Sequence, residues 1–161
     1  MRGGSMNRPL TIMEVTASVS TLLNDRKSLV WTIAPRATVF EAIEMMAEKN
    51  IGALPVMDDG KLIGVISERD YTRNVVLKGK SSKETWVQEI MSRELVIARP
   101  DDGVVECMRL MTEKRVRHMP VMEGEKMIGI LSIGDLVKWI ISAQTATIDQ
   151  LTRYVYGEPV E

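Results

Sequence analysis

The chain carries one segment twice. Shifted by 65 positions, residues 30–76 lie on residues 95–141 without a gap, and 14 of the 47 pairs are identical. Unrelated segments of that size would share roughly three. The identities include Pro35/Pro100, Val39/Val104, Glu41/Glu106, Met46/Met111, Pro55-Val56-Met57/Pro120-Val121-Met122, Ile63-Gly64/Ile128-Gly129, Ser67/Ser132 and Asp70/Asp135. A unit this small cannot bury a core alone, so two copies must share one.

Both copies read as β-α-β-β-α, a mixed α/β (α+β) class. Residues 30–33 form a short β-branched strand that Pro35 stops. Val39, Ala42, Ile43 and Met46 then mark one helix face, with Thr38 and Glu41 spaced as a capping box. The second copy keeps the face as Val104, Cys107, Met108 and Met111, with Asp102 or Gly103 near the cap. Residues 54–57 and 62–66 are strands around Asp58-Asp59-Gly60, a hairpin signal. Their copies are 119–122 and 127–131 around Glu123-Gly124-Glu125. A second helix runs through Tyr71, Val75 and Val76, matched by Leu136, Ile140 and Ile141. The strands are apolar on consecutive residues, which suits cover on both faces. Phe40, Met45, Val105 and Leu110 flank the main helix faces, so part of that surface is expected to meet another subunit.

The segments outside the repeats are shorter. Residues 19–23 read as a helical turn leading in, and residues 87–91 as a second, in register with 22–26. Residues 78–84 form a polar linker. The tail, 142–156, is helix-like, with Ile148, Leu151 and Val155 on one face, packed on the module or on a partner. Met1-Arg2-Gly3-Gly4-Ser5 reads as an expression leftover. The expected divisions are 1–17 as N-terminal extension, 18–80 and 81–142 as the two domains, and 143–161 as the helical tail.

Composition narrows the chemistry. With 21 basic and 22 acidic residues, the formal charge of -1 gives no global attraction to nucleic acid or anionic lipid. No apolar run approaches the roughly 18 residues of a membrane span, and the start has no signal-peptide core. There is 1 cysteine, Cys107, and 1 histidine, His118. An internal disulfide is impossible, a reducing cytoplasm is the natural compartment, and a zinc site of Cys and His ligands is excluded. Cys107 sits on an apolar helix face and reads as core, and the 12 methionines read as adaptable core and interface filler. No metal cluster, nucleophile–base pair or Gly-x-x-x-x-Gly-Lys loop is present, so an enzyme is not expected.

Two segments remain that can carry a function: Gly64-Val65-Ile66-Ser67-Glu68-Arg69-Asp70 and Gly129-Ile130-Leu131-Ser132-Ile133-Gly134-Asp135. Each ends a strand and opens a helix. One reading is structural: Ser67 and Ser132 are N-caps, and the Asp three residues on suits the helix dipole. The other is a nucleoside-phosphate seat. There the helix start meets an anion, the carboxylate accepts from a ribose diol, and the serine meets a phosphate or sugar oxygen. The residues alone leave both readings open.

The duplicated pattern resembles the cystathionine β-synthase (CBS) domain family, as a tandem pair. The resemblance rests on Ile51-Gly52-Ala53-Leu54-Pro55-Val56, Val116-Arg117-His118-Met119-Pro120-Val121, both Gly-x-x-Ser-x-x-Asp segments and Ile90-Met91-Ser92. It spans about residues 20–142. It implies two units packed sheet to sheet with pseudo-two-fold symmetry, a homodimer formed through helices, and clefts for AMP, ADP or ATP, less often NAD(H) or S-adenosylmethionine. Carried over by position, one cleft takes Ser67, Arg69 and Asp70 with Val96, Ile97, Val116, Arg117, His118 and Met119. The other takes Ser132, Gly134 and Asp135 with Trp31, Thr32, Ile33, Ile51, Gly52 and Ala53. Arg69, Arg117 and His118 favour the first cleft for phosphate, and only Arg26 or Lys27 offers charge near the second. His118 also reads as a plain surface residue, and Lys114, Arg115 and Arg117 as a solvated helix end. The expected function is a non-enzymatic sensor that regulates a partner protein of unknown identity. The alternative is a structural or interaction homodimer with no physiological nucleotide.

Overall fold

A computed structural model of the chain describes residues 17–24 and 30–156. The first copy comprises α1 (Val19–Asn24), α2 (Val39–Lys49), the hairpin β1 (Ala53–Asp58) and β2 (Lys61–Ser67), α3 (Glu68–Tyr71) and a π-helical segment (Thr72–Val76). After α4 (Val87–Ile90) the second copy supplies α5 (Val104–Lys114), β3 (His118–Glu123), β4 (Lys126–Ser132) and α6 (Ile133–Tyr156). The class is α+β, with two separate two-stranded sheets, β1-β2 and β3-β4. Two compact units emerge, each drawing on both copies. A hairpin unit holds residues 30–99 and 118–130, and a helical unit holds 17–24, 100–117 and 131–156.

In the hairpin unit, α2 begins as the sequence predicts. Glu41 N–H donates to Thr38 Oγ1 at 3.1 Å, and Thr38 N–H donates to Glu41 Oε2 at 2.7 Å. The helix ends on Asn50 in the left-handed region (φ 53°), after which Ile51 N–H bonds back to Met46 O at 3.0 Å. Asp59 (φ 48°) and Gly60 (φ 77°) both take positive φ, as a two-residue hairpin turn requires. The register shifts between Val56 and Met57, where β1 and β2 are bulged. Val39, Ala42 and Met46 from α2 meet Leu54, Val56 and Ile66 from the hairpin in one buried cluster. Ile33, Val75 and the lead-in residues Val87, Ile90 and Met91 complete it.

Three expectations are corrected. The strands expected at 30–33 and its copy shrink to single parallel bridges, Ile33 to Val56 and Ala98 to Val121. Ile33 pairs only through its own N–H, to Pro55 O at 3.0 Å, and its own carbonyl, from Met57 N–H at 2.9 Å, and Ala98 does the same with Pro120 O and Met122 N–H. The second helix of the first copy stops after four residues and becomes a π-turn, closed by Leu77 N–H to Thr72 O at 3.1 Å. Val137, Ile140 and Ile141 fill the same places in the second copy and keep a regular α-helix, so side-chain branching does not account for the π-turn. The matching helix in the second copy is a regular α-helix that continues through the helix-like tail, Ile133–Tyr156.

The lead-in turns pair in a register different from the expected one. Val87 N–H donates to Ala37 O (2.9 Å), Gln88 N–H to Pro35 O (3.0 Å), and Val39 N–H to Thr85 O (2.8 Å). In the helical unit, Val19 N–H donates to Asp102 O (2.8 Å), Ser20 N–H to Pro100 O (2.8 Å), and Val104 N–H to Ala17 O (3.0 Å). The two sets superimpose with Val87 on Val19, not on Leu22. Each lead-in therefore supplies hydrogen-bond partners to the helix start of the other copy.

Cys107 is packed in α5 as expected, and burial, with Asp102 and Glu106 nearby, pushes its thiol up to about 11. Phe40 and Val105 are each 41% exposed, and Met45 and Leu110 are half-buried. Lys83 Nζ stands 4.9 Å from the centre of the Phe40 ring.

Candidate functional site: two serine–aspartate turns

Strand β2 delivers Ser67 in an extended conformation (φ -122°, ψ 162°), which turns the chain into α3. Asp70 folds back onto it. Its Oδ2 accepts from Ser67 N–H at 2.9 Å and from Ser67 Oγ at 2.9 Å, while Asp70 N–H donates to Ser67 Oγ at 3.2 Å. The second copy repeats the turn. Ser132 N–H donates to Asp135 Oδ2 at 3.0 Å, and Asp135 N–H to Ser132 Oγ at 3.1 Å. The capping reading is thus realised in both copies. A carboxylate has two oxygens, so a cap made through one is compatible with accepting from a ligand through the other.

The residue after each serine ties the turn to the residue that precedes the first hairpin strand of its own copy. Glu68 N–H donates to Gly52 O at 3.1 Å, and Ile133 N–H donates to Arg117 O at 2.8 Å. Positions 52 and 117 are equivalent in the repeat, so this is one device built twice. Gly52, expected beside Ser132 and Asp135, stands against the Ser67 turn. A methyl group at Gly52 would lie 3.4 Å from His118 Cε1, 3.6 Å from His118 Nε2 and 3.9 Å from Glu68 Oε1. The hairpin unit thereby gathers Ser67, Glu68, Asp70, Gly52 and His118. Beside them Ile43, Met46, Asn50, Ile51, Glu68 and Tyr71 help to line a cavity of about 520 Å³. In the helical unit the Ser132 turn has Arg117 as its backbone partner.

Arg69, Arg117 and Gly134 are exposed, and Val96 and Val116 are half-buried. Ile97, Thr32 and Trp31 are exposed, and Lys49 Nζ sits 4.1 Å from the centre of the Trp31 ring. Ile33, Ala53 and Met119 are buried, so their side chains belong to the packing. Arg26 and Lys27 lie outside the described residues. Sequence reasoning missed Glu68 and the cavity-lining Met46 and Tyr71. Glu68 was the accessible one, since it directly follows Ser67.

Among the described residues, no group of three or more His, Cys, Asp or Glu side chains is placed to hold a metal ion. No described helix is long and apolar enough to cross a membrane.

Comparison with known proteins identifies the family. Residues 26–77 and 87–142 match the CBS domain family. The mitochondrial CBS domain-containing protein CBSX3 of Arabidopsis thaliana is 40% identical over 125 residues, covering 74% of this chain and 61% of that protein. The chain thus spans about three-fifths of that relative's length. A solved protein with CBS domains from Burkholderia ambifaria is 45% identical, with a TM-score of 0.76 over 78% of this chain and 95% of that one. The CBS domain pair of protein MJ0100, solved with 5′-methylthioadenosine and S-adenosyl-L-methionine, shares the fold at 23% identity, with a TM-score of 0.67 over 76% of this chain and 94% of that one. The chain is a tandem pair of CBS domains and belongs to that family.

Proposed function

We propose that the chain is a non-enzymatic regulatory module. It holds an adenosine-containing ligand at its serine–aspartate turns and signals through the geometry of a homodimer paired by its helices. The supporting observation is the gathering of Ser67, Asp70, Gly52 and His118 in one unit. Asp70 suits a ribose diol, and His118 and Arg69 suit phosphate oxygens. AMP, ADP and ATP fit this chemistry best, and NAD(H) and S-adenosylmethionine share the adenosine part. The ligands of the MJ0100 pair support the adenosine class. A bound ligand shifts the module, and through it a regulated partner protein, only by its difference in affinity for two states.

Thermal unfolding with AMP, ATP, NADH and S-adenosylmethionine tests this reading, because a ligand of the folded state raises the melting temperature. At least one is expected to do so, and Asp70→Ala is expected to lose more of the shift than Asp135→Ala. Asp70→Asn, which keeps an acceptor for the cap, separates ligand loss from cap loss. Equal loss in the two alanine variants sinks the preference for the Ser67 turn. No shift with any of the four favours an interaction protein, for which the closed caps already speak.

A further inference from the structure

Helix α6 carries two apolar stripes, and one packs within its own unit. Along that stripe Leu136 and Thr147 are buried, and Ile140 and Ala143 are half-buried. The other stripe runs through Val137, Ile141, Gln144, Ile148, Leu151 and Val155, spaced four, three, four, three and four residues apart. Its apolar members are exposed by 40% (Val137), 57% (Ile141), 62% (Ile148), 51% (Leu151) and 75% (Val155). Beyond Thr147 every described side chain is exposed. A spacing that averages 3.5 residues keeps a seam facing another helix along its whole length.

We infer that this seam pairs with the same helix of a second copy, as a parallel two-stranded coiled coil. Three observations name the occupant. First, Ile141, Ile148 and Val155, one heptad apart, are all β-branched, and the intervening row is Val137, Gln144 and Leu151. A β-branched row beside leucine favours two parallel strands, and the layers at Ile148, Leu151 and Val155 follow that pattern. Second, the one polar member, Gln144, has an amide that both donates and accepts. It satisfies its own copy when the two helices are in register. Third, the described flanking positions 138, 140, 145, 147 and 152 hold a single charge, Lys138. In a parallel pair Ile140 and Thr147 of one copy lie opposite Thr145 and Thr152 of the other, so identical helices meet without repulsion. The three threonines turn their hydroxyls onto their own helix, bonding to Ile141 O (2.9 Å), Ala143 O (3.1 Å) and Ile148 O (2.8 Å). A partner selected by charge finds almost nothing to read there.

The inference rests on the homodimer proposed above and names its surface. Cysteine cross-linking of the full chain tests it, with buried Cys107 as the unchanged background. Ile141→Cys, Ile148→Cys and Val155→Cys place thiols in the seam, and Ala146→Cys and Arg153→Cys place them on the outer face. Thiols held together by pairing have a far higher effective concentration than thiols meeting by diffusion. At micromolar protein, each seam variant is expected to oxidise to a covalent dimer at least about tenfold faster than either outer-face variant. Equal rates at all five positions overturn the pairing. So does cross-linking of Ile141→Cys and Val155→Cys only when mixed, which marks an antiparallel arrangement. Sedimentation of the unmodified chain separates the two levels. A dimer without fast seam cross-links overturns the helix pairing alone, and a monomer overturns the homodimer as well.

Discussion

Replacing Gly64 by alanine drives a methyl group into the backbone that crosses β2. The new Cβ would lie 2.9 Å from Ser92 O, 2.6 Å from Met91 Sδ and 3.0 Å from Met91 Cγ. The methionine can swing aside, but the carbonyl cannot, because it accepts from Val65 N–H at 3.0 Å while Ser92 N–H donates to Val65 O at 2.9 Å. Relief therefore requires moving the Met91-Ser92 segment and weakening those two bonds. Overpacking of this kind costs about 1–3 kcal/mol, and each weakened bond adds roughly 0.5–1.5 kcal/mol. Because Met91 moves easily, a total of about 2–4 kcal/mol is expected, or a melting temperature lower by roughly 4–16 °C for a chain of this size. Gly52→Ala is the comparison. Its nearest neighbour would be a histidine carbon at 3.4 Å, so a cost below about 1 kcal/mol is expected. Urea unfolding of the full chain, followed by fluorescence and by circular dichroism, measures both. Similar costs for the two variants, or a Gly64→Ala cost below about 0.5 kcal/mol, would refute the reasoning from close approach.

Thr38→Ala removes the capping box of α2 and should cost about 1 kcal/mol, read from the urea midpoint, with Thr38→Ser recovering most of it. Cys107 should resist a thiol reagent in the folded protein near pH 8 and react on unfolding, because its thiol is held up to about 11. The sign of its pH dependence follows from the same shift. The folded thiol keeps its proton where the unfolded one, near 9.0, loses it. Its contribution is thus full below about pH 9 and fades as pH climbs toward 11. Denaturant titrations of wild type and Cys107→Ala between pH 8 and 11 should show a steeper fall for wild type.

The duplication made much of the fold legible. Paired prolines, turn glycines and the Thr38–Glu41 box fixed helices and hairpins to within a residue or two, because each obeys local rules. The lead-in turns were misregistered by three residues. Val19 precedes the bridge at Ile33 by 14 positions, whereas Val87 precedes Ala98 by 11. A gapless shift cannot see that difference. The π-turn escaped for another reason: over five residues its period cannot be told from that of an α-helix. At the candidate site, the Ser67–Asp70 turn was visible as a cap. The neighbours Gly52 and His118 were read as parts of opposite clefts, since nothing local in a sequence reports that they stand side by side.

The exchanged lead-ins also set an order on synthesis. Ala37 and Val87, 50 positions apart, can bond once the first copy and its following lead-in have emerged. Val19 must wait for Asp102, 83 positions later. At 5–20 residues per second that is roughly 4–17 s on the ribosome. During that time the apolar side chains of Val19 and Leu22, both buried in the finished protein, have no native cover. The hairpin unit's first half can close while the chain is still growing, but the helical unit is sealed only after the second copy arrives. Its earliest-made residues are among the last to be buried.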